Sequence, residues 1–96
     1  MRQTYIVSYD ISDDKRLRQV FKTVGGYGDH IQLSVFRCEL SKRELVELRT
    51  KLSSIIHHKE DQVLFIDVGP VLGRGSTSIS AIGRVYTEPE RRAVVL

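Results

Sequence analysis

The sequence that decides the fold of this chain is Tyr5-Ile6-Val7-Ser8-Tyr9-Asp10. Large side chains alternate from one face to the other, and this period of two predicts a β-strand. An aspartate is unfavourable inside a strand, because its carboxylate competes for backbone hydrogen bonds, but it is tolerated at a strand end. We therefore place Asp10 at the end of the strand, just before the next element begins. This is a common place for a functional side chain on a rigid scaffold.

The element after this strand is predicted to be a helix. Ser12 is suited to the N-cap, and Asp13 and Asp14 would lie in the first turn, where the helix dipole favours negative charge. An apolar stripe at helical spacing follows, formed by Leu17, Val20, Phe21 and Val24. The glycine pair at 25–26 is expected to end the helix.

The middle of the chain predicts more strand and a second helix. Residues 29–40 are β-prone but long for one strand, so they form either one bent strand or two strands broken near Ser34. Ser41 and Glu44 form a capping box, which starts a helix expected to run to about His57. Residues 62–68 are β-rich and predict the next strand.

The last third of the sequence gives weaker signals. Residues 69–78 predict a loop rich in glycine, serine and threonine, and residues 80–83 are compatible with a short strand. The sequence ends on four apolar residues, 93–96. We expect them to pair with the sheet of a partner chain, because an apolar terminus is unfavourable in water. Pairing within the same chain is the alternative.

This order of elements predicts one α+β domain over residues 1–96. The pattern is that of a ferredoxin-like (split βαβ) fold, an antiparallel sheet with two helices on one face. The other face would still need cover, and the core of a 96-residue chain is thin. A symmetric homodimer would meet both needs.

Composition sets broad limits on function. The net charge is +3 and the pI about 9.2, which is compatible with nucleic-acid binding without indicating it. No apolar run is long enough for a membrane helix and no signal peptide is visible, so we expect a cytoplasmic protein without a membrane partner. The single cysteine, Cys38, cannot form an intramolecular disulfide or a cysteine zinc site.

Five side chains are candidates for chemistry or binding. Asp10 is a candidate magnesium ligand, with the equivalent residue of a second copy across a two-fold axis, or else a turn or cap residue before the helix. Tyr9 and Phe36 either stack on bases or pack in the core. Arg16 and Arg18 either neutralise phosphate or lie on a solvated helix face.

Two short motifs at joint spacing carry a resemblance. Tyr9-Asp10-Ile11 followed by Asp13-Asp14, and then Gln32-Leu33-Ser34-Val35-Phe36, resemble the CRISPR-associated endoribonuclease 2 family. In that family a "Y-D-hydrophobic-x-[DN]-[DN]" opening precedes "Q-x-S-V-F". The resemblance implies a ferredoxin-like fold, a homodimer that exchanges the C-terminal strand, and a role in acquiring CRISPR spacers.

The same resemblance implies partners, a cofactor and site residues. It implies a complex with the CRISPR integrase, binding of double-stranded DNA, and Mg²⁺-dependent endonuclease activity on single-stranded RNA or double-stranded DNA. Asp10 then matches the catalytic, metal-binding aspartate. The nucleic-acid-binding residues that it implies are Tyr9, Arg16, Arg18, His30 and Phe36, although many relatives carry arginine at the place of His30. Two functions follow, a Mg²⁺-dependent nuclease or a non-catalytic nucleic-acid-binding dimer that bridges integrase subunits.

Overall fold

A computed structural model describes residues 1–72 and 79–84 of the chain. Its elements are β1 (Gln3–Asp10), α1 (Asp14–Gly25), β2 (Gly28–Gln32), β3 (Val35–Leu40), α2 (Lys42–Ile55) and β4 (Gln62–Pro70). The strands form one sheet in the order β2-β3-β1-β4, with every neighbouring pair antiparallel. The predicted α+β, ferredoxin-like fold is confirmed.

Strand β1 lies at the centre of the sheet. Val7 pairs with Phe36 on β3 and with Phe65 on β4, so its apolar side chain lies in the middle of the layer that faces the helices. Tyr9 follows on the same face, and both residues are buried. The alternation that predicted a strand therefore divides β1 into a core face and an opposite face.

The extended segment 29–40 is two strands, which decides between the two alternatives left by the sequence. Strands β2 and β3 form a hairpin that turns at Leu33 and Ser34. The Ser34 carbonyl accepts a hydrogen bond from the Tyr9 backbone N–H at 3.1 Å, so the turn is tied to β1. At the other end, a Cβ on Gly28 would lie 2.5 Å from the Arg37 carbonyl oxygen, so only glycine allows this approach of β2 to β3.

The predicted N-cap of α1 was wrong by one residue. Asp13, not Ser12, is the cap, and its carboxylate accepts a hydrogen bond from the Arg16 backbone N–H at 2.9 Å. The Ser12 hydroxyl is instead engaged by Asp61, which is distant in sequence. The predicted end of the helix at the glycine pair 25–26 is confirmed.

Helix α2 begins as predicted. Ser41 and Glu44 form the capping box through two reciprocal hydrogen bonds of 2.9 and 3.2 Å. The helix ends at Ile55, two residues before the predicted end, because Ile56 adopts an extended backbone conformation. The chain then turns, and β4 starts at Gln62.

The predictions for the end of the chain had mixed outcomes. Strand β4 continues two residues past the predicted Val68, to Pro70. The short strand predicted at 80–83 was wrong, since no strand lies between residues 79 and 84 and Gly83 has a φ of 92°, in the left-handed region. The exchanged strand expected at 93–96, and most of the loop expected at 69–78, lie outside the described residues. No described helix has the length and apolar character to cross a membrane.

The core lies between the two helices and one face of the sheet. Its apolar members are Val7, Tyr9, Val20, Val24, Phe36, Cys38, Leu40, Leu48 and Leu52. Helix α1 contributes Val20 and Val24 from its predicted stripe, α2 contributes Leu48 and Leu52, and the central strands contribute residues of the face that lies under the helices. Burial raises the pKa of the Cys38 thiol to about 12, so this cysteine is an inert core residue.

We predict that Leu48→Ala destabilises the protein by about 2–5 kcal/mol, because Leu48 is fully buried and its loss leaves a cavity. The measurement is urea unfolding at a fixed protein concentration. Val46→Ala on the same helix is the control, since Val46 is 62% exposed and should change stability little. Equal effects of the two variants would contradict this description of the core.

Candidate functional site

Asp10 is the last residue of β1, and its side chain is exposed. Its partner across the sheet is Gln62, the first residue of β4. Within residues 1–72 and 79–84, no side chain forms an ion pair or hydrogen bond with the Asp10 carboxylate. The predicted place at the strand end is confirmed, and the helix cap that the alternative assigned to Asp10 is made by Asp13.

A buried carboxylate lies beside this strand end. The Asp61 side chain is completely buried and accepts hydrogen bonds from Arg16 Nε at 2.7 Å and Arg16 Nη2 at 3.2 Å. It also accepts from the backbone N–H and hydroxyl of Ser12, at 3.0 and 3.1 Å, and from the His57 N–H at 2.8 Å. We call Ser12, Arg16, His57 and Asp61 the Asp61 cluster.

The charges of the Asp61 cluster are matched. Hydrogen bonds from the Arg16 guanidinium, and then from the backbone of His57 and Ser12, hold the pKa of Asp61 well below its ordinary value, although burial opposes this shift. The same carboxylate raises the pKa of Arg16. Both groups are therefore charged at neutral pH, and each neutralises the other.

Arg16 was predicted either to bind phosphate or to lie on a solvated helix face. The structure gives it a third role, because two of its nitrogens contact Asp61 and one of these also donates to the Ser12 hydroxyl at 3.1 Å. Glu60 lies 3.5 Å from the same guanidinium. Asp61 was not predicted as a site residue, because its only local signal is its place directly before a β-rich segment.

Tyr9 and Phe36 pack in the core, which is one of the two alternatives that the sequence left open. Their rings stack with centroids 6.3 Å apart, and both are almost completely buried. Burial also raises the pKa of the Tyr9 hydroxyl. Neither ring face is open to a base in this arrangement, so a direct contact of these rings with nucleic acid has no exposed surface to use.

Arg18 and His30 remain exposed. Arg18 lies on α1, where Lys15 and Lys22 are exposed as well, so this helix presents a basic surface. The His30 ring, on the edge strand β2, lies 5.0 Å from Phe21 and 5.0 Å from Phe36 between ring centroids. These two are the predicted nucleic-acid residues that the fold leaves accessible.

Asp10 supplies an exposed carboxylate at this strand end. Residues 1–72 and 79–84 contain no group of three or more His, Cys, Asp or Glu side chains that could hold a metal ion. Mg²⁺ prefers oxygen ligands and is often bound by only one or two carboxylates, with water completing the shell. Asp10 fits this donor chemistry, provided that a second group comes from elsewhere.

The sheet face opposite the helices carries exposed apolar side chains. Ile6 pairs with Ile66, and Leu64 lies two residues before Ile66 on the same face. Leu64 is 46% exposed and Ile66 47% exposed. We call these two residues and the half-buried Ile6 the open-face patch. Adjacent exposed apolar residues of this kind are typical of interaction surfaces.

Comparison with known proteins decides the family. The model of the family "CRISPR associated protein Cas2" matches residues 3–70, which is more than half of the chain. The chain belongs to the Cas2 family. The match covers β1 to β4, including Asp10 and both motifs that carried the resemblance.

Individual Cas2 proteins are similar over most of their length. "CRISPR-associated endoribonuclease Cas2" of Geobacter sulfurreducens is 38% identical over 96 residues, covering 100% of both chains. "CRISPR-associated endoribonuclease Cas2 1" of Rhodospirillum rubrum is 40% identical over 92 residues, covering 96% of this chain and 89% of the relative.

Solved structures give the same answer for the fold. The crystal structure of hypothetical protein TT1823 from Thermus thermophilus superposes with a TM-score of 0.76 at 31% identity, covering 94% of this chain and 100% of the other. That of Streptococcus pyogenes Cas2 gives 0.69 at 31% identity, covering 83% of this chain and 99% of the other. The four-stranded sheet with two helices is thus the Cas2 fold.

We predict that the stability due to Asp61 in this Cas2 protein depends on pH. Since its pKa in the folded state is far below the ordinary value of 3.8, its contribution is present at neutral pH and is lost as the pH falls below that value. Asp61→Asn should lower the melting temperature at neutral pH. The difference in melting temperature between the wild type and this variant, which we call the gap, should narrow towards about pH 3. Differential scanning calorimetry across this range measures the gap.

The control for this prediction is Glu60→Gln, which neutralises the adjacent carboxylate. Glu60 is exposed and lies farther from Arg16, so its loss should change the melting temperature little at any pH. A gap between wild type and Asp61→Asn that stays constant on acidification would contradict the prediction.

Proposed function

We propose that this protein acts in CRISPR adaptation as a homodimer that binds nucleic acid and cleaves phosphodiester bonds in the presence of Mg²⁺. The observation that carries the proposal is the exposed Asp10 carboxylate, which ends the central strand and has no partner among the described residues. The names of the relatives, which are endoribonucleases, support the choice of reaction.

In this proposal Asp10 is the metal ligand. The Asp10 residues of two copies would hold one Mg²⁺, which when bound would lower the pKa of a water molecule and offset charge on the phosphate. The chain itself contributes position. Asp10 is held by its pairing with Gln62 on β4, directly after the part of β1 that pairs on both sides, at the boundary between a rigid sheet and the solvent where a nucleic acid could approach.

The exposed basic surface of α1 would bind the nucleic-acid backbone. Arg18 supplies charge there, with Lys15 and Lys22, and dimerisation doubles the number of such side chains. His30 would lie at the margin of this surface. Contacts of this kind tolerate sequence variation, which suits double-stranded DNA and also single-stranded RNA as substrates.

The dimer in this proposal forms through the open-face patch and the apolar terminus at 93–96. The open-face patch would be covered by the same patch of a second copy, as in an isologous interface. The terminal residues would add a strand to the partner's sheet. Such a dimer is also the form that would bind the CRISPR integrase and bridge its subunits.

A second candidate function is a non-catalytic dimer that binds DNA for the integrase. Residues 1–72 and 79–84 contain no group of three or more His, Cys, Asp or Glu side chains that could hold a metal ion, and the exposed basic surface of α1 would bind a duplex without one. The same dimer and the same basic surface serve both functions. The two candidates therefore differ only in what Asp10 does.

We predict that Asp10→Asn abolishes Mg²⁺-dependent cleavage while leaving the melting temperature almost unchanged. Asparagine keeps the shape and one oxygen but removes the charge that binds the ion. The measurement is cleavage of RNA and duplex DNA with Mg²⁺ and with EDTA, alongside thermal unfolding. Asp14→Asn, an exposed aspartate on α1, is the control.

Cleavage by Asp10→Asn at the wild-type rate would contradict the metal-site proposal. A variant that loses cleavage but still supports spacer insertion with the integrase would show that the metal site is not needed for adaptation. Absence of cleavage by the wild type under all these conditions would favour the second candidate.

We predict a homodimer that Ile66→Lys converts to monomer. A lysine in the open-face patch would have to lose its hydration on association, which is unfavourable without a partner charge. Light scattering at micromolar concentration measures the mass. Val46→Lys, on an exposed part of α2, is the control and should remain dimeric.

A wild-type mass of 11 kDa alone would contradict the dimer. A second variant that lacks residues 93–96 tests the terminal strand, and its dissociation constant should rise. If it dimerises as tightly as the full chain, the terminus is not part of the interface.

A further inference from the structure

We propose that Asp61 and Arg16 are positioning residues for Asp10, and that Arg16 serves this role instead of binding phosphate. The inference rests on the proposed metal site at Asp10. It assigns a function to Asp61, which no motif in the sequence indicated, and a different one to Arg16. Neither residue would touch the metal ion or the nucleic acid.

The Asp61 cluster lies next to the residue pair that contains Asp10. Asp61 directly precedes Gln62, and Gln62 is the residue that pairs with Asp10 across the sheet. Ser12, two residues after Asp10, donates two hydrogen bonds to the Asp61 carboxylate. The chain leaving β1 and the chain entering β4 are therefore cross-linked immediately beyond the pair that contains Asp10.

This cross-link also reaches the first turn of α1 and the segment after α2. Arg16 connects Asp61 to the first turn of α1, and the His57 N–H connects it to the segment that follows α2. One buried carboxylate thus joins the end of β1, the start of β4 and both helical segments. Fixing the backbone on both sides of Asp10 limits the directions that its exposed side chain can take.

The Asp61 cluster also balances the charge beside Asp10. Asp61 is buried and ionised, so without Arg16 an uncompensated anion would remain beside the end of β1. Arg16 binds it with two nitrogens, a forked geometry that lysine cannot reproduce. With Asp61 neutralised in this way, the buried carboxylate adds no net charge beside the exposed carboxylate of Asp10.

The same geometry argues against phosphate binding by Arg16. Nε and Nη2 are both engaged by Asp61, and Nη2 also donates to the Ser12 hydroxyl. The side chain is only 24% exposed, whereas Arg18 on the same helix is exposed. A phosphate would have to compete with a buried carboxylate that is already desolvated.

The first experiment measures Mn²⁺ binding by the full-length protein, from the electron paramagnetic resonance signal of free Mn²⁺. Residues that orient metal ligands typically change metal affinity by about 10–100-fold when mutated, so Asp61→Asn and Arg16→Lys should each weaken Mn²⁺ binding by about that factor. Glu60→Gln should bind as the wild type does, because Glu60 is exposed and its contacts with Arg16 at 3.5 Å and with the Ser12 hydroxyl at 3.4 Å are longer than those of Asp61.

A purely structural role would change stability without changing metal affinity, so a stability control is included. Leu48→Ala lowers stability through the hydrophobic core, which includes no member of the Asp61 cluster, and should keep the Mn²⁺ affinity of the wild type. All variants are measured well below their melting temperatures. If Asp61→Asn is folded and binds Mn²⁺ as tightly as the wild type, the positioning role is overturned.

The second experiment measures duplex DNA binding against salt concentration. The double variant Arg16→Ala/Asp61→Ala keeps the net charge, and it should keep the wild-type slope of log K against log salt. Arg18→Ala should reduce the magnitude of the slope by about 0.9 for each phosphate that is no longer neutralised. If the slope of the double variant falls as far as that of Arg18→Ala, Arg16 binds phosphate and that part of the inference is overturned. Should the double variant not fold, Arg16→Gln is titrated in the same way.

Asp10→Asn separates failure of this inference from failure of the proposed function. If Asp10→Asn binds Mn²⁺ as well as the wild type, the metal site is not at Asp10, and the proposed function and the positioning role fall together. If Asp10→Asn loses Mn²⁺ binding and Asp61→Asn does not, the metal site stands and only the positioning role is wrong.

Discussion

The arrangement around the end of β1 depends on one buried carboxylate. An ionised group out of contact with water is unfavourable unless donors surround it, and Asp61 receives them from a guanidinium, a hydroxyl and two backbone N–H groups. A buried ion pair of this kind often adds little net stability compared with apolar packing, but losing one partner is strongly unfavourable. Its value lies in specifying one geometry, because few arrangements of these segments satisfy the carboxylate.

The contacts of Asp61 join residues that are distant in sequence, and this distance separates the parts of the structure that could be predicted from those that could not. Strand β1, the apolar stripe of α1 and the capping box of α2 were predictable, because each signal is contained within a few consecutive residues. The N-cap of α1 shows the limit. Ser12 and Asp13 are both good caps, and the choice fell to Asp13 because the Ser12 hydroxyl contacts a residue 49 positions away.

The residues of the candidate site also differ in whether their roles could be predicted from nearby sequence. The position of Asp10 was predictable from the end of a period-two pattern, and its freedom from ion pairs within the described residues agrees with that place. The roles of Arg16 and Phe36 were not predictable. Whether Arg16 faces solvent depends on a distant carboxylate, and whether the Phe36 ring is exposed depends on its pairing with Val7 on the face under the helices.

The open-face patch lies uncovered because the domain is small, and it belongs to the same sheet as the proposed metal ligand Asp10. Residues that would complete the core of a larger domain lie exposed or half-buried here, at Ile6, Leu64 and Ile66, and strand β4 that carries two of them begins next to Asp10.

If a second copy covers the patch and the two Asp10 carboxylates share one ion, dimerisation and metal binding are coupled equilibria. Any ligand that binds the dimer better than the monomer must stabilise the dimer, and the coupling is reciprocal. Without the ion, two carboxylates brought together repel each other and oppose association. The same interface would then gain stability from Mg²⁺ and lose it when the ion is removed, so the oligomeric state and the metal site would respond to one variable.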